Sequence, residues 1–244
     1  LASGGIANSE TIRMGVEAGL FSPTFRSAEV RRAALSTLGL DCDGLLLLGS
    51  GRFSAEKRWD MVLRAAGECG RKLPAGLLLV GEGRKRRTLE MIADRYDNVA
   101  VLPAITTRSD LASLLASSDA LVHGCESETF CLVAAEARAS GIPLIVPNTG
   151  AAVDQLVEGA GTTYAAGRER SLEDAIARFV NRGPELQRAA AVRASRPRTM
   201  DEHFADLFAR YQALGPGHVT QPAALAVGGA IPMLEPLAAL TNIK

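Results

Sequence analysis

The 244-residue chain lacks an excess of charge of either sign, because 27 Lys and Arg residues are balanced by 27 Asp and Glu residues. Proteins that bind the phosphate backbone of nucleic acids usually carry a basic excess, so this composition argues against nucleic acid as a partner. It also gives no reason to expect attachment to anionic lipid through charge alone. With 47% hydrophobic and 22% charged residues, the composition is that of a folded globular protein.

Cysteine and histidine are scarce, with four Cys and three His. No Cys-x-x-Cys pair and no spacing typical of zinc ligands is present. Four thiols are too few for a disulfide scaffold, and we find no signal peptide, so we expect a reducing, cytoplasmic location. No uninterrupted apolar run approaches the roughly 18 residues of a membrane span.

Short apolar runs alternate with segments of helical periodicity. The runs are Leu45–Gly49, Gly76–Val80, Val99–Leu102, Ala120–His123, Ile142–Val146 and Thr162–Tyr164. Runs that are apolar on both faces and separated by helices predict a parallel sheet covered on both sides. The predicted fold class is therefore α/β, with a doubly wound parallel sheet of the Rossmann-like type.

Composition divides the chain into four predicted regions. These are a loop-rich stretch with a lead-in helix at 1–40, the Rossmann-like domain at 41–181, C-terminal helices at 182–214 and a proline-interrupted tail at 215–244. Ligands bind such sheets at the carboxyl ends of the strands, near the switch point. We therefore expect function in the loops that follow the strands.

The loop after the first run contains Gly51 and two cations, Arg52 and Lys57, five positions apart. The dipole of the following helix disfavours cations at its start, whereas a bound anion there would meet both of them. A forked guanidinium and a point-charge ammonium suit a diphosphate, especially one whose charge grows as it leaves. A solvated basic turn is the alternative, and this motif alone leaves both interpretations open.

The loop after the second run reads Gly81-Glu82-Gly83 and leads directly into the basic run Arg84–Arg87. A third glycine at the spacing of the GxGxxG fingerprint is missing, which argues against a protein that binds a nicotinamide dinucleotide. The basic run is interpreted as a solvated helix face.

The loop after the fourth run carries Glu128 and leads into a largely apolar helix that carries Glu136. With Glu128 in the loop, both carboxylates can point into one cleft. A carboxylate on so apolar a helix needs a partner, and it accepts hydrogen bonds from paired sugar hydroxyls well. Backbone amides at the helix start can hold phosphate, and they belong to Phe130, Cys131, Leu132 and Val133.

Other interpretations of this loop are weaker. Glu126, Glu128 and Glu136 also fit a metal cluster or the acid/base pair of a hydrolase, but the loop has no Asp-x-Asp and paired carboxylates are common. His123 is interpreted as a strand-end residue with a satisfied hydrogen bond. Cys125 and Cys131 are interpreted as small buried residues.

Together these loops resemble the C-terminal domain of retaining GT-B glycosyltransferases, a large group that uses nucleotide sugars. Its Glu-x7-Glu signature, E-G-F-G-L-V-x-x-E-A-x-A-x-G-x-P, is similar to the stretch from Glu128 through Glu136 to Pro143. The family's Gly-Arg-x(4)-Lys motif is present as Gly51-Arg52 and Lys57. The G-[DE]-G loop and the linker motif G-V-[DE]…F-x-P match residues 81–83 and residues 15–17 with 21–23, respectively.

The resemblance implies a role for each site residue. Arg52 and Lys57 would bind the donor diphosphate in place of a metal, Glu128 would face the donor sugar, and Glu136 would bind the nucleotide ribose. No metal or other cofactor is expected. Donor binding would be completed by Gly51, Gly81, Phe130, Cys131, Leu132 and Val133. The loop that begins at His123 looks most like mannosyltransferase members, and the family's next glycine-rich turn is reduced to Gly150.

The resemblance covers only the donor half of such an enzyme, with 1–40 as inter-domain linker. Because the chain begins with Leu1 at the linker, we expect an N-terminal Rossmann domain, with most of the acceptor site, to be missing. The isolated chain should then bind a nucleoside-diphosphate hexose without turning it over. Association with the inner face of a membrane would depend on the absent domain.

Two alternatives follow from the same residues. A non-catalytic module that binds nucleotide sugars is the first, and a sugar-nucleotide epimerase is the second, although the Gly-Arg-x(4)-Lys motif argues against it. In the enzyme family the last helix crosses to the N-terminal domain. Its apolar stripe here consists of Phe204, Leu207, Phe208 and Tyr211.

Overall fold

A computed structural model describes residues 10–17 and 19–214. Its six strands are β1 (Leu45–Ser50), β2 (Ala75–Val80), β3 (Val99–Leu102), β4 (Ala120–Val122), β5 (Leu144–Pro147) and β6 (Gly161–Tyr164). They form one sheet in the order β3-β2-β1-β4-β5-β6, and every neighbouring pair is parallel. The chain builds outward from β1 to β3, then returns to the other side of β1 with β4, so the switch point lies between β1 and β4.

Helices cover both faces of the sheet. They are α1 (Ala28–Thr37), α2 (Trp59–Gly70), α3 (Arg86–Ala93), α4 (Arg108–Ser117), α5 (Leu132–Ala139), α6 (Glu169–Asn181), α7 (Pro184–Arg193) and α8 (Met200–Leu214). Leu46 and Leu48 of β1 pack in a core cluster with residues of α1, α4 and α5. Leu47, between them, packs in a second cluster with residues of α2, α3 and α6. Alternate side chains of the strand thus fill two cores, which confirms the predicted α/β doubly wound fold.

The fifth strand begins later than its apolar run predicts. Gly141 has a φ of +68°, which is the left-handed conformation that ends many helices at glycine. The N–H of Ile142 then donates to the carbonyl of Ala137 at 3.2 Å, so this residue still closes α5 instead of pairing in the sheet. The strand begins at Leu144.

The segment before α1 lies beside the start of α8. The N–H of Val16 donates to the carbonyl of Arg198 at 2.9 Å, and the N–H of Met200 donates to the carbonyl of Val16 at 2.8 Å. On α8, Phe204 and Tyr211 are exposed. The predicted tail at 215–244 lies outside the described residues. None of the helices in the described ranges has the length and apolar character needed to cross a bilayer.

Candidate active site at the switch point

The loops after β1, β2, β4 and β5 meet at the carboxyl edge of the sheet, and two glycines allow this close approach. A Cβ atom on Gly81 would lie 1.9 Å from the carbonyl oxygen of Gly51, so a side chain there would separate the β1 and β2 loops. A Cβ atom on Gly150 would lie 2.2 Å from the carbonyl oxygen of Glu126, and the φ of Gly150 is +82°. The single glycine after β5 therefore sits where a side chain does not fit.

Arg52 and Lys57 are held very differently, although both follow β1. The side chain of Arg52 is 75% exposed, and its guanidinium lies 3.8 Å from the carboxylate of Glu56. Lys57 ends a short 3₁₀ turn, Ala55–Lys57, and its ammonium forms an ion pair with Glu128 in a mostly buried setting. Arg52 is thus an exposed cation that can turn toward a ligand, whereas Lys57 is mostly buried and paired with Glu128.

Glu128 is a stable anion. His123 is the largest cause of its low pKa, with Lys57 adding to it, and together they lower the pKa of Glu128 to about 2 despite partial burial. The ring Nε2 of His123 lies 3.4 Å from Glu128 Oε1. Glu128 is therefore ionised at neutral pH and can accept hydrogen bonds but cannot donate a proton.

His123 directly follows β4, and one of its two ring nitrogens has the hydrogen bond that was predicted for a strand-end residue. Its ring is buried, and within the described part of the chain Nδ1 has no hydrogen-bond partner. The other nitrogen, Nε2, faces Glu128 and also lies 3.5 Å from the Sγ of Cys131. The sequence alone gives no sign of these contacts, because they depend on how the loop at 124–130 folds back over the end of β4.

The acidic residues of this region do not form one cluster. Glu126 pairs with Arg58, Glu128 with Lys57, and Glu136 with Arg108 of α4. Each carboxylate therefore has its own cation. Three possible metal-ligand atoms lie within 4.8 Å of one another: a ring nitrogen of His123, the Sγ of Cys125 and a carboxylate oxygen of Glu128. Because the ammonium of Lys57 already neutralises that carboxylate, we do not assign these groups as metal ligands.

Glu136 has the partner that a buried carboxylate needs. Its side chain is 10% exposed, and its Oε1 accepts a hydrogen bond from Arg108 Nη2 at 3.1 Å. Burial raises the pKa of Glu136, and Arg108 offsets part of that effect. Arg108 also binds Glu17 at 3.1 Å and lies over the ring of Phe21, which joins the segment before α1 to this carboxylate.

The start of α5 is open to an anion. The helix begins at Leu132, and the residue before it, Cys131, makes no side-chain cap. The first N–H groups of a helix have no partner within it, so those of Leu132 and Val133 point beyond the helix end. Cys131 itself is buried and has a φ of +61°, at a position where the family signature has glycine. Phe130 and Val133 are half-buried, and Leu132 is exposed.

The fold and the site together define a doubly wound α/β protein. At the switch point of its sheet lie the Lys57–Glu128 ion pair, the exposed cation Arg52 and the uncapped start of α5, an arrangement that can hold a phosphorylated ligand. Comparison with known families makes this specific. Residues 32–196 match the model of the family described as glycosyl transferases group 1. The chain belongs to this family.

Curated relatives include two mannosyltransferases of Mycobacterium tuberculosis. The chain is 30% identical to a GDP-mannose-dependent alpha-(1-6)-phosphatidylinositol dimannoside mannosyltransferase, over 86% of this chain and 54% of that protein. It is 32% identical to a GDP-mannose-dependent alpha-mannosyltransferase, over 91% of this chain and 56% of that protein. The chain therefore spans about half the length of these curated relatives.

Solved structures show the same fold. Anabaena Alr3699/HepE, crystallised with UDP and glucose, matches with a TM-score of 0.69 at 18% identity, over 82% of this chain and 56% of that one. Sucrose-phosphate synthase from Thermosynechococcus elongatus matches with a TM-score of 0.69 at 24% identity, over 84% of this chain and 52% of that one. The sheet and its helices are thus those of one half of a GT-B glycosyltransferase.

Proposed function

We propose that the chain is the donor-binding half of a glycosyltransferase that transfers a hexose from a nucleoside-diphosphate sugar with retention of anomeric configuration. The observation that carries this proposal is the Lys57–Glu128 ion pair, which lies at the switch point with Arg52 on the same loop as Lys57. The two mannosyltransferase relatives are named as GDP-mannose-dependent, which supports a nucleotide sugar as donor and GDP-mannose as the first one to test.

Binding of the donor redistributes the charges of the site. Arg52 turns to the diphosphate from the surface, and Lys57 exchanges part of its contact with Glu128 for a phosphate oxygen. The open N–H groups at the start of α5 take a further phosphate oxygen. Negative charge grows on the diphosphate as the bond to the sugar breaks, so these groups stabilise the transition state more than the bound donor.

The two carboxylates act on the sugars. Glu128 faces the hexose as an anion, accepts hydrogen bonds from its hydroxyls and favours positive charge at the reacting carbon. Its pKa of about 2 argues against a general acid, which is the role that one carboxylic acid of a glycoside hydrolase performs. Glu136 accepts hydrogen bonds from the ribose hydroxyls. This division supports a transferase over a hydrolase.

The remaining parts of the proposal concern partners. The acceptor site and further catalytic groups would come from a second Rossmann-like domain, as the coverage of about half of each relative suggests. This polypeptide by itself then binds donor without transfer. Cytoplasmic location and attachment to a membrane face through that second domain are part of the same proposal. A purely non-catalytic binding module is less favoured, because the chain belongs to a family of transferases.

Calorimetry with GDP, GDP-mannose, UDP and UDP-glucose tests the proposal. We expect one nucleoside diphosphate and its sugar to bind, with the same affinity in excess EDTA as in Mg²⁺, because Arg52 and Lys57 serve the diphosphate. Affinity for all four ligands below detection, or binding only with Mg²⁺, would overturn it. For the finer claim, the chain would be joined to the N-terminal half of the alpha-mannosyltransferase relative. The NMR signal of the product's anomeric carbon should then show retention.

A further inference from the structure

We propose that His123 is a positioning residue that holds Glu128 in place toward the donor sugar while Lys57 turns to the diphosphate. The inference rests on the proposed function and names a residue to which the family resemblance assigns no role. Glu128 is held by two groups, the ammonium of Lys57 and the imidazole of His123. Of these, Lys57 would also bind the donor diphosphate, whereas the buried ring of His123 would keep its contact with Glu128.

The position of the proton on His123 follows from its surroundings. Nδ1 has no hydrogen-bond partner among the described residues, whereas Nε2 faces a carboxylate, which only accepts hydrogen bonds, so we assign the tautomer with its proton on Nε2. Two groups lie near Nε2, Glu128 Oε1 at 3.4 Å and Cys131 Sγ at 3.5 Å. Burial raises the pKa of the Cys131 thiol to about 12, so this sulfur is uncharged and Glu128 is the stronger acceptor. Contacts of this length commonly shorten when the substrate binds.

The ring has little freedom to move. The backbone N–H of His123 donates to the carbonyl of Ile145 at 3.0 Å, and the backbone carbonyl of His123 accepts from the hydroxyl of Tyr164 at 2.7 Å. Trp59 packs against the ring edge, with centroids 6.0 Å apart at 85°. The indole N–H of Trp59 in turn donates to the carbonyl of Arg52 at 3.0 Å. Trp59 and His123 thus connect the backbone of the loop that carries Arg52 with the carboxylate of Glu128.

If His123 acts through Glu128 on the donor sugar, its loss should affect the affinity for the nucleotide sugar but not that for the nucleoside diphosphate. Loss of the His123 donor should weaken binding of the nucleotide sugar and spare that of the nucleoside diphosphate, which Arg52 and Lys57 still hold. We expect His123→Leu to weaken GDP-mannose binding about tenfold with little change for GDP. His123→Gln, whose amide N–H can take the place of Nε2, should restore most of the loss. His203→Gln, on α8, is the matched control.

Three readouts decide the matter in the intact 244-residue chain. Calorimetry measures the ratio of the GDP-mannose and GDP affinities, circular dichroism and urea unfolding show that each variant folds, and ¹⁵N NMR of the imidazoles locates the ring proton. Equal losses for both ligands, a Gln variant that behaves like Leu, or a proton on Nδ1 would each overturn the assignment.

A failure of the proposed function is a separate result. If the wild type binds neither nucleotide, ¹³C NMR of the Glu128 carboxylate still tests the contact with His123. Glu128 faces His123, Lys57 and Cys131, and Lys57 and Cys131 are unchanged in the variants. In the His123→Leu chain the carboxylate should take up its proton at a higher pH than in the wild type and the Gln chain. An unchanged titration would show that His123 does not hold Glu128.

Discussion

Glu128 and Glu136 belong to one motif, eight positions apart, yet their environments oppose each other. Glu128 lies in a loop against the imidazole of His123 and the ammonium of Lys57, which lower its pKa to about 2. Glu136 lies inside α5, where burial raises its pKa, and its cation is the 53% exposed Arg108. The surroundings of Glu128 thus favour its charged form, whereas those of Glu136 disfavour it. The spacing of the motif does not reveal this difference.

The largest effect is expected when the cation that is paired with Glu128 is removed. Lys57→Ala should weaken nucleoside-diphosphate binding by about 1.5–3 kcal/mol, because a charged hydrogen bond is lost. Arg52→Ala should lose an amount in the same range but nearer its lower end, since this exposed side chain must be ordered on binding. Calorimetry with GDP and guanosine measures both effects, and guanosine affinity should hardly change. Arg84→Ala, in the solvated basic run, is the control.

Equal losses for GDP and guanosine would point to a folding defect instead. A Lys57 variant with unchanged GDP affinity would contradict the role of the ion pair. In that case Glu128 would need another cation to balance it in the complex.

The second prediction compares the two carboxylates through stability. Glu128 has a folded pKa below its ordinary value of 4.5, so its stabilisation is present above about pH 4.5 and is lost as the pH falls toward about 2. Glu128→Gln should therefore lower the free energy of unfolding at pH 7, with a smaller loss at pH 4. Glu136 has a raised pKa, so its charge opposes folding above that pKa and the opposition fades as the pH falls.

Glu136→Gln should accordingly leave the chain at least as stable as the wild type at pH 7, with the difference shrinking at pH 4. Urea unfolding at pH 7 and pH 4 measures the change in the free energy of unfolding for both variants. Glu158→Gln, at an exposed position, is the control. Two variants that shift in the same direction would remove the distinction between the carboxylates.

The sequence predicted the sheet well but not the contacts among the loops that follow its strands, for a physical reason. Strands buried on both faces must be apolar throughout, so their positions show in any single chain, and the loops after them could be named as the site. The partners of the carboxylates could not be named. Arg108 and Glu136 are 28 positions apart, and they meet only because α4 packs against α5. His123 reaches Glu128 only through the path of its loop.

The third prediction tests whether the charge of Glu136 depends on Arg108. Arg108→Gln keeps a hydrogen-bond donor but removes the positive charge, so the pKa of Glu136 should rise further. The ribose hydroxyls would then meet a carboxylate that has lost its cation, and guanosine affinity should fall about threefold, in keeping with a partly exposed ion pair. Glu17→Gln, on the other side of Arg108, is the matched control and should change it less. Higher guanosine affinity in the Arg108 variant would mean that this arginine blocks the ribose site.

The smallest effect is expected at Cys131, which separates the two carboxylates. Its φ of +61° costs roughly 1–2 kcal/mol for a residue with a Cβ atom, and glycine would remove that strain. Glycine also loses the buried thiol and gains freedom in the unfolded chain, which together offset a similar amount. Cys131→Gly should therefore change the free energy of unfolding by less than about 1 kcal/mol. It should also leave the titration of Glu128 and Glu136 unchanged, because the uncharged thiol contributes no charge to either.

Cys131→Val, a branched residue in the same backbone conformation, should lower the free energy of unfolding clearly more than Cys131→Gly does in urea. If valine were tolerated as well as glycine, the left-handed turn at this position would not be what joins the Glu128 loop to the helix of Glu136.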